Sequence, residues 1–207
     1  MLSTLLAFLG ACLLIAASPG PSTVLIIKQS IRSRRSGFLT VLGNETGVFV
    51  WGILAAFGLT ALLAASEVAY DVMRIVGAVV LVVFGVQTLW QARHAKGAAD
   101  PGAEEAVEKS GWSSYRGGLL LNLANPKAAI FAMSFLPQFV PEGAPHLPTM
   151  VGLAALWAVF EVGYYSTYVW FVGRMKAVLS RAGVRRRLEQ VSGGVLLLLG
   201  ARLALES

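Results

Sequence analysis

Charge is what this sequence has least of. Only 14% of its 207 residues are Asp, Glu, Lys or Arg, against about 25% in soluble domains. Hydrophobic residues make up 56% and the mean hydropathy is +0.68. A soluble protein of this length cannot hide so much apolar surface, which sets aside a cytosolic enzyme or a nucleic-acid binder. Cysteine occurs once, as Cys12, so neither an intrachain disulfide nor a Cys-rich metal site can form. The only histidines, His94 and His146, fall outside the long apolar runs, which argues against an intramembrane metal centre. No G-x-x-x-x-G-K-[ST] sequence is present to cradle a phosphate, and no Ser-His-Asp set lies within the apolar runs. The expectation is an all-α integral membrane protein with no catalytic residues, no metal and no cofactor.

What is present is a series of apolar runs of membrane-spanning length, about 20 residues each. Residues 1–27 carry no charge, 36–66 only Glu45, 75–92 none, 117–141 only Lys127 and 147–173 only Glu161. A shorter sixth run, 190–205, ends near Arg202, whose side chain can reach the interface. Six transmembrane helices are expected. Nothing basic precedes Ile27, so the first run reads as a span rather than a cleaved signal peptide. Fourteen of the 17 basic residues fall in loops 28–35, 93–116 and 174–187. By the positive-inside rule those loops are cytoplasmic and both termini lie outside. The net charge of +6 is therefore a topological signal with membrane lipid as its partner, not a nucleic-acid footprint.

The polar stretch after the third run divides the chain into 1–92, a cytoplasmic linker 93–114, and 115–207. The two halves resemble each other. Ser18-Pro19 matches Asn125-Pro126, Glu45-Thr46-Gly47 matches Glu161-Val162-Gly163, and residues 75–79 match 191–195, in order along the chain. Three spans per half force the second half to enter the membrane inverted, an architecture that recurs in secondary transporters with a central site. The expected fold is two inverted three-helix repeats, with helices 1 and 4 broken at Pro motifs.

Chemistry concentrates at those breaks. Ser18-Pro19-Gly20-Pro21 and Asn125-Pro126-Lys127 each set a good N-cap residue before a proline suited to the first helical position. A restarted helix offers free N–H groups and a positive dipole end to an anionic group. Lys127, Glu45 and Glu161 are isolated ionisable residues within apolar runs, each costing roughly 2.5–3.5 kcal/mol on insertion scales unless paired. Lys127 suits a carboxylate; the two acids suit an ammonium, a coupling proton or an ion pair with Lys127. Asn44 and Asn122 are polar neighbours that interhelical hydrogen bonding explains equally well. Gly43-x-x-x-Gly47 points to close helix packing or to a homo-oligomer.

Several motifs carry a resemblance. They are Ser18-Pro19-Gly20-Pro21, Gly43-x-x-Thr46-Gly47, Gly77 to Gly85 followed by Gln87, Gly117 to Lys127 with Asn122-Leu123 and Asn125-Pro126-Lys127, and Pro137-Gln138-Phe139. The chain resembles the LysE/RhtB family of bacterial amino-acid exporters over essentially its whole length. The resemblance implies export of amino acids or close derivatives through the bacterial inner membrane, by secondary transport in exchange for protons. A zwitterionic substrate is then expected at Ser18, Pro19, Gly20, Pro21, Asn122, Asn125, Pro126 and Lys127, with its ammonium or the coupling proton at Glu45 and Glu161. Alternatives are a small-cation or metal exporter, suggested by the paired acids, and a nontransporting scaffold subunit held by its glycine faces.

Overall fold

The structure is a computed structural model of the full chain. It describes residues 2–18, 20–65 and 111–179, with scattered positions in 75–90 and 181–201. The third and sixth expected spans, most of the linker, the Gly77 to Gly85 motif and Arg202 lie outside the continuously described residues. Every element among the described residues is helical.

Helix α1 (Leu2–Ala17) and helix α2 (Pro21–Arg32) form a pair bent by 67°. The break differs in one detail from the sequence expectation. Ser18 does not cap the second helix; its N–H bonds to the carbonyls of Leu14 and Ile15, both at 3.2 Å, and so closes the first. Gly20, in extended backbone, stands at the N-cap and Pro21 is the first helical residue. The reason is the doubled proline: a residue preceding proline is pushed out of the α region, so Gly20 cannot be helical and the restart waits for Pro21. Pro19 lies outside the described residues.

Ser33 turns the chain, its Oγ accepting the N–H of Ser36 at 3.0 Å, and α3 (Arg34–Ala65) follows. Its 32 residues span about 48 Å, longer than a hydrocarbon core of about 30 Å. Helix α4 (Gly111–Leu123) and helix α5 (Pro126–Phe135) make a second bent pair, at 61°. A 3-10 turn, Leu136–Phe139, and a loop containing Gly143 at φ +76° lead to α6 (His146–Trp170) and α7 (Val172–Leu179). Among the described residues, α3 and α6 are each long and apolar enough to cross a membrane, and the two bent pairs qualify if each counts as one broken span.

Polarity is distributed inside out. Ser18, Thr23, Asn44, Glu45, Asn122 and Glu161 are buried, whereas Leu54, Phe57, Leu120 and Val159 are exposed. Exposed apolar side chains over helices of this length fit a hydrocarbon surround. Two buried clusters hold the described helices together. One joins Phe8, Phe131, Phe135 and Trp157 from α1, α5 and α6, with the Phe131 and Phe135 rings 4.1 Å apart. The other gathers Ile26, Val41, Tyr165 and Tyr168 from α2, α3 and α6.

Helices α3 and α4 touch backbone to backbone. A Cβ on Gly43 would run into the Tyr115 carbonyl, and one on Gly118 into the Thr40 carbonyl. A Cβ on Gly47 would stand 2.8 Å from that of Asn122. The Gly43-x-x-x-Gly47 step thus serves helix packing within the chain, as small residues do at membrane helix interfaces. Thr40 Oγ1 donates to the Ser114 carbonyl at 3.3 Å across the same seam.

Candidate functional site

Between the two bends lies a cavity of about 60 Å³, room for on the order of five waters. Its polar wall comes from residues flanking both breaks, among them Ser18, Gly20, Pro21, Asn122, Asn125 and Lys127. Glu161 and Asn44 complete it from α6 and α3. Ile15, Val48, Ala128 and Phe131 supply an apolar wall.

The second break has the geometry its sequence predicts. Asn125 is the N-cap of α5, and its Oδ1 accepts the Lys127 N–H at 3.0 Å. Pro126 needs no hydrogen bond at the first helical position. The cap fixes the first turn, so Lys127 projects into the cavity from the helix end where the macrodipole is positive. At the first break no side chain caps α2, and Ser22 and Thr23 reach the cavity from its first turn.

Glu161 stands beside Glu45, with the Trp157 indole next to it and the Lys127 ammonium acting on its carboxyl group. Both acids are buried. Glu45 does not itself line the cavity; it is held behind Asn44, whose Nδ2 donates to its Oε1 at 2.8 Å. Asn44 in turn accepts from Asn122 Nδ2 at 3.3 Å. The Trp51 indole donates to the Asn122 carbonyl at 3.4 Å, which also accepts the Asn125 N–H at 2.9 Å because Pro126 has no N–H to continue the helical ladder. Three cavity-lining groups are buried without a hydrogen bond among the described residues: Ser22 Oγ, Asn122 Oδ1 and Trp157 Nε1. Unpaired buried polar atoms are costly, and all three belong to residues that line the same cavity.

Of the residues expected at the site, Ser18, Gly20, Pro21, Asn122, Asn125, Lys127 and Glu161 line the cavity. Pro126 begins the helix that carries Lys127, and Glu45 stands one layer behind. Trp157, Tyr165, Thr23 and Phe131 were not expected. Trp157 and Tyr165 lie four residues either side of Glu161, which places all three on one helix face; that spacing was the available signal.

A polar, charge-bearing cavity inside an apolar helical body, walled by two bent helix pairs, is the kind of feature a membrane translocator requires. The chain belongs to the LysE type translocator family, whose pattern it matches over residues 13–207. It is 30% identical over 202 residues to the leucine efflux protein of Salmonella typhimurium, covering 95% of this chain and 92% of that one. It is 32% identical over 155 residues to the threonine efflux protein of Escherichia coli K12, covering 74% and 71%. No solved structure matches.

Proposed function

We propose that the protein exports a small zwitterionic amino acid across the cytoplasmic membrane in exchange for protons. The observation that carries this reading is the opposition of Lys127 and Glu161 in one cavity. The two charges are complementary to the carboxylate and ammonium of a free α-amino acid. The substrate carboxylate meets Lys127 and the first turn of α5, where positive potential and free N–H groups favour an anion. The Ser22 hydroxyl is a further donor, while the Trp157 indole stands beside the Glu161 carboxyl group. The substrate ammonium meets Glu161 and Asn122 Oδ1. The apolar wall of Ile15, Val48 and Phe131 takes the side chain.

The six-span inverted repeat, the cytoplasmic placement of loops 28–35, 93–116 and 174–187, and both termini outside belong to the same reading. The two bends, at residues that match between the halves, support the repeat. Exposed Trp90, Trp112 and Trp170, near the ends of basic stretches, support placing those stretches at a membrane interface, because Trp gathers at both interfaces; the basic residues themselves argue for the cytoplasmic side. Alternating access then opens the cavity on one face at a time, and a proton taken up outside at Glu45 or Glu161 resets the carrier.

The test is efflux from proteoliposomes loaded with single amino acids, with and without a proton gradient. Efflux of neutral amino acids, faster when the outside is acid, is the expected result. Failure of every amino acid, or efflux indifferent to the gradient, overturns the substrate or the coupling assignment respectively.

A further inference from the structure

Glu45 is wired to the cavity it does not line. Its Oε1 accepts from Asn44 Nδ2 at 2.8 Å, Asn44 Oδ1 accepts from Asn122 Nδ2 at 3.3 Å, and Asn122, a cavity-lining residue, keeps its Oδ1 buried without a hydrogen bond among the described residues. Glu45 Oε2 is likewise buried without one. Glycine seats the two amides: Gly47 faces the Asn122 side chain and Gly118 faces the Asn44 main chain, each too close for a Cβ.

We propose that Asn44 and Asn122 are positioning residues that carry the proton occupancy of Glu45 into the cavity, by turning their side-chain amides. This rests on the cavity binding an amino acid and on Glu45 taking the coupling proton. An amide has a donor end and an acceptor end, and its terminal torsion is soft. An ionised Glu45 only accepts, so Asn44 must show it Nδ2–H. Asn44 Oδ1 then faces Asn122, which must answer with its own Nδ2–H. That leaves Asn122 Oδ1 without a donor, as it is in the structure, and a substrate ammonium in the cavity supplies the donor it lacks.

A proton arriving through cavity water, passed on by the Glu161 carboxyl group that lines the cavity beside Glu45 and bound at Glu45, reverses the order. The new O–H donates to Asn44 Oδ1, Asn44 presents Nδ2–H to Asn122 Oδ1, and Asn122 turns Nδ2–H into the cavity. An acceptor for the ammonium becomes a donor against it, and the substrate is released. In net terms no bond other than that of the proton to Glu45 forms or breaks, and the proton leaves when Glu45 ionises again. The titratable groups around Glu45 are Glu161 and Tyr165 of α6, with Lys127 of α5 and Cys12 of α1 acting through Glu161. Glu161 remains in contact with the cavity in either state, so the relay modulates affinity rather than creating it.

The experiment is equilibrium binding of leucine and of threonine to the purified full chain in lipid nanodiscs, from acid to mildly alkaline pH. Wild type is expected to bind about tenfold or more weakly at acid pH, the scale of one hydrogen bond to a charged group. Glu45→Gln is expected to flatten that dependence. Asn44→Leu and Asn122→Leu are expected to flatten it as well, and adding Glu45→Gln to either is expected to change the profile no further. Asn44→Ala and Asn122→Ala carry the same comparison where a leucine variant does not fold. Folded asparagine variants that keep the wild-type dependence, or a wild type that binds without any, overturn the relay alone. A wild type that binds neither amino acid overturns the cavity reading beneath it.

Discussion

The Tyr165 hydroxyl donates to the main-chain carbonyl of Ala16 at 3.4 Å. Ala16 stands in the last turn of α1, where carbonyls have no helical partner, and Thr23 of α2 lies beside the same hydroxyl. One side chain of α6 thus holds both sides of the first break. Tyr165→Phe keeps the ring and frees the carbonyl. It is expected to destabilise the protein by about 1–3 kcal/mol and to slow efflux more than Tyr164→Phe does. Melting in detergent and proteoliposome flux check this.

Glycine substitution at the seam between α3 and α4 is expected to be severe. Gly43→Ala and Gly118→Ala each drive a methyl group into a backbone carbonyl, which can be relieved only by separating the helices. The cost is expected at about 1–3 kcal/mol or more. Gly10→Ala and Gly152→Ala, which meet no atom within 4 Å, are expected to leave melting unchanged. Size-exclusion profiles after heating separate the two groups.

The two breaks predict opposite sensitivities. Asn125→Ala removes a side-chain cap and is expected to cost about 1 kcal/mol while loosening Lys127. Ser18→Ala removes no cap from α2, so it is expected to melt like wild type. Equal losses in the two variants would contradict the placement of the second helix start at Pro21.

Neutralising the cavity charges is expected to separate the substrate's two ends. Lys127→Met should weaken binding of an amino acid about tenfold or more yet affect its amide derivative, which has no carboxylate, far less. Glu161→Gln should show no such distinction, weakening the amide derivative as much as the parent amino acid. Competition binding with the paired ligands reads both.

Much of this was legible because charge is scarce. The apolar runs bounded by basic residues located α3 and α6 to within a few residues, and the prolines located both bends. The same scarcity singled out Glu45, Lys127 and Glu161, since an isolated ionisable residue in an apolar run needs a partner. What the pattern did not carry was helix rotation. With Leu, Val and Phe around much of α6, its inward face is marked only by the four-residue spacing of Trp157 and Tyr165 about Glu161, a signal that composition and charge do not bring out. The first break was misplaced by two residues because Pro19 and Pro21 compete, and the rule that settles it acts through Gly20. Asn44 and Asn122 were visible as polar residues, but their pairing depends on which glycines let α3 and α4 meet.

That meeting has a consequence for how the carrier can work. α3 belongs to the first half of the chain and α4 to the second, yet their main chains lie closer than any side chain permits. Sliding one along the other by a single residue would bring Cβ atoms into space that only Gly43, Gly47 and Gly118 leave empty. The seam is therefore a keyed joint rather than a sliding bearing. Under the alternating access proposed above, it stays fixed while the half-helices beyond the prolines move against it.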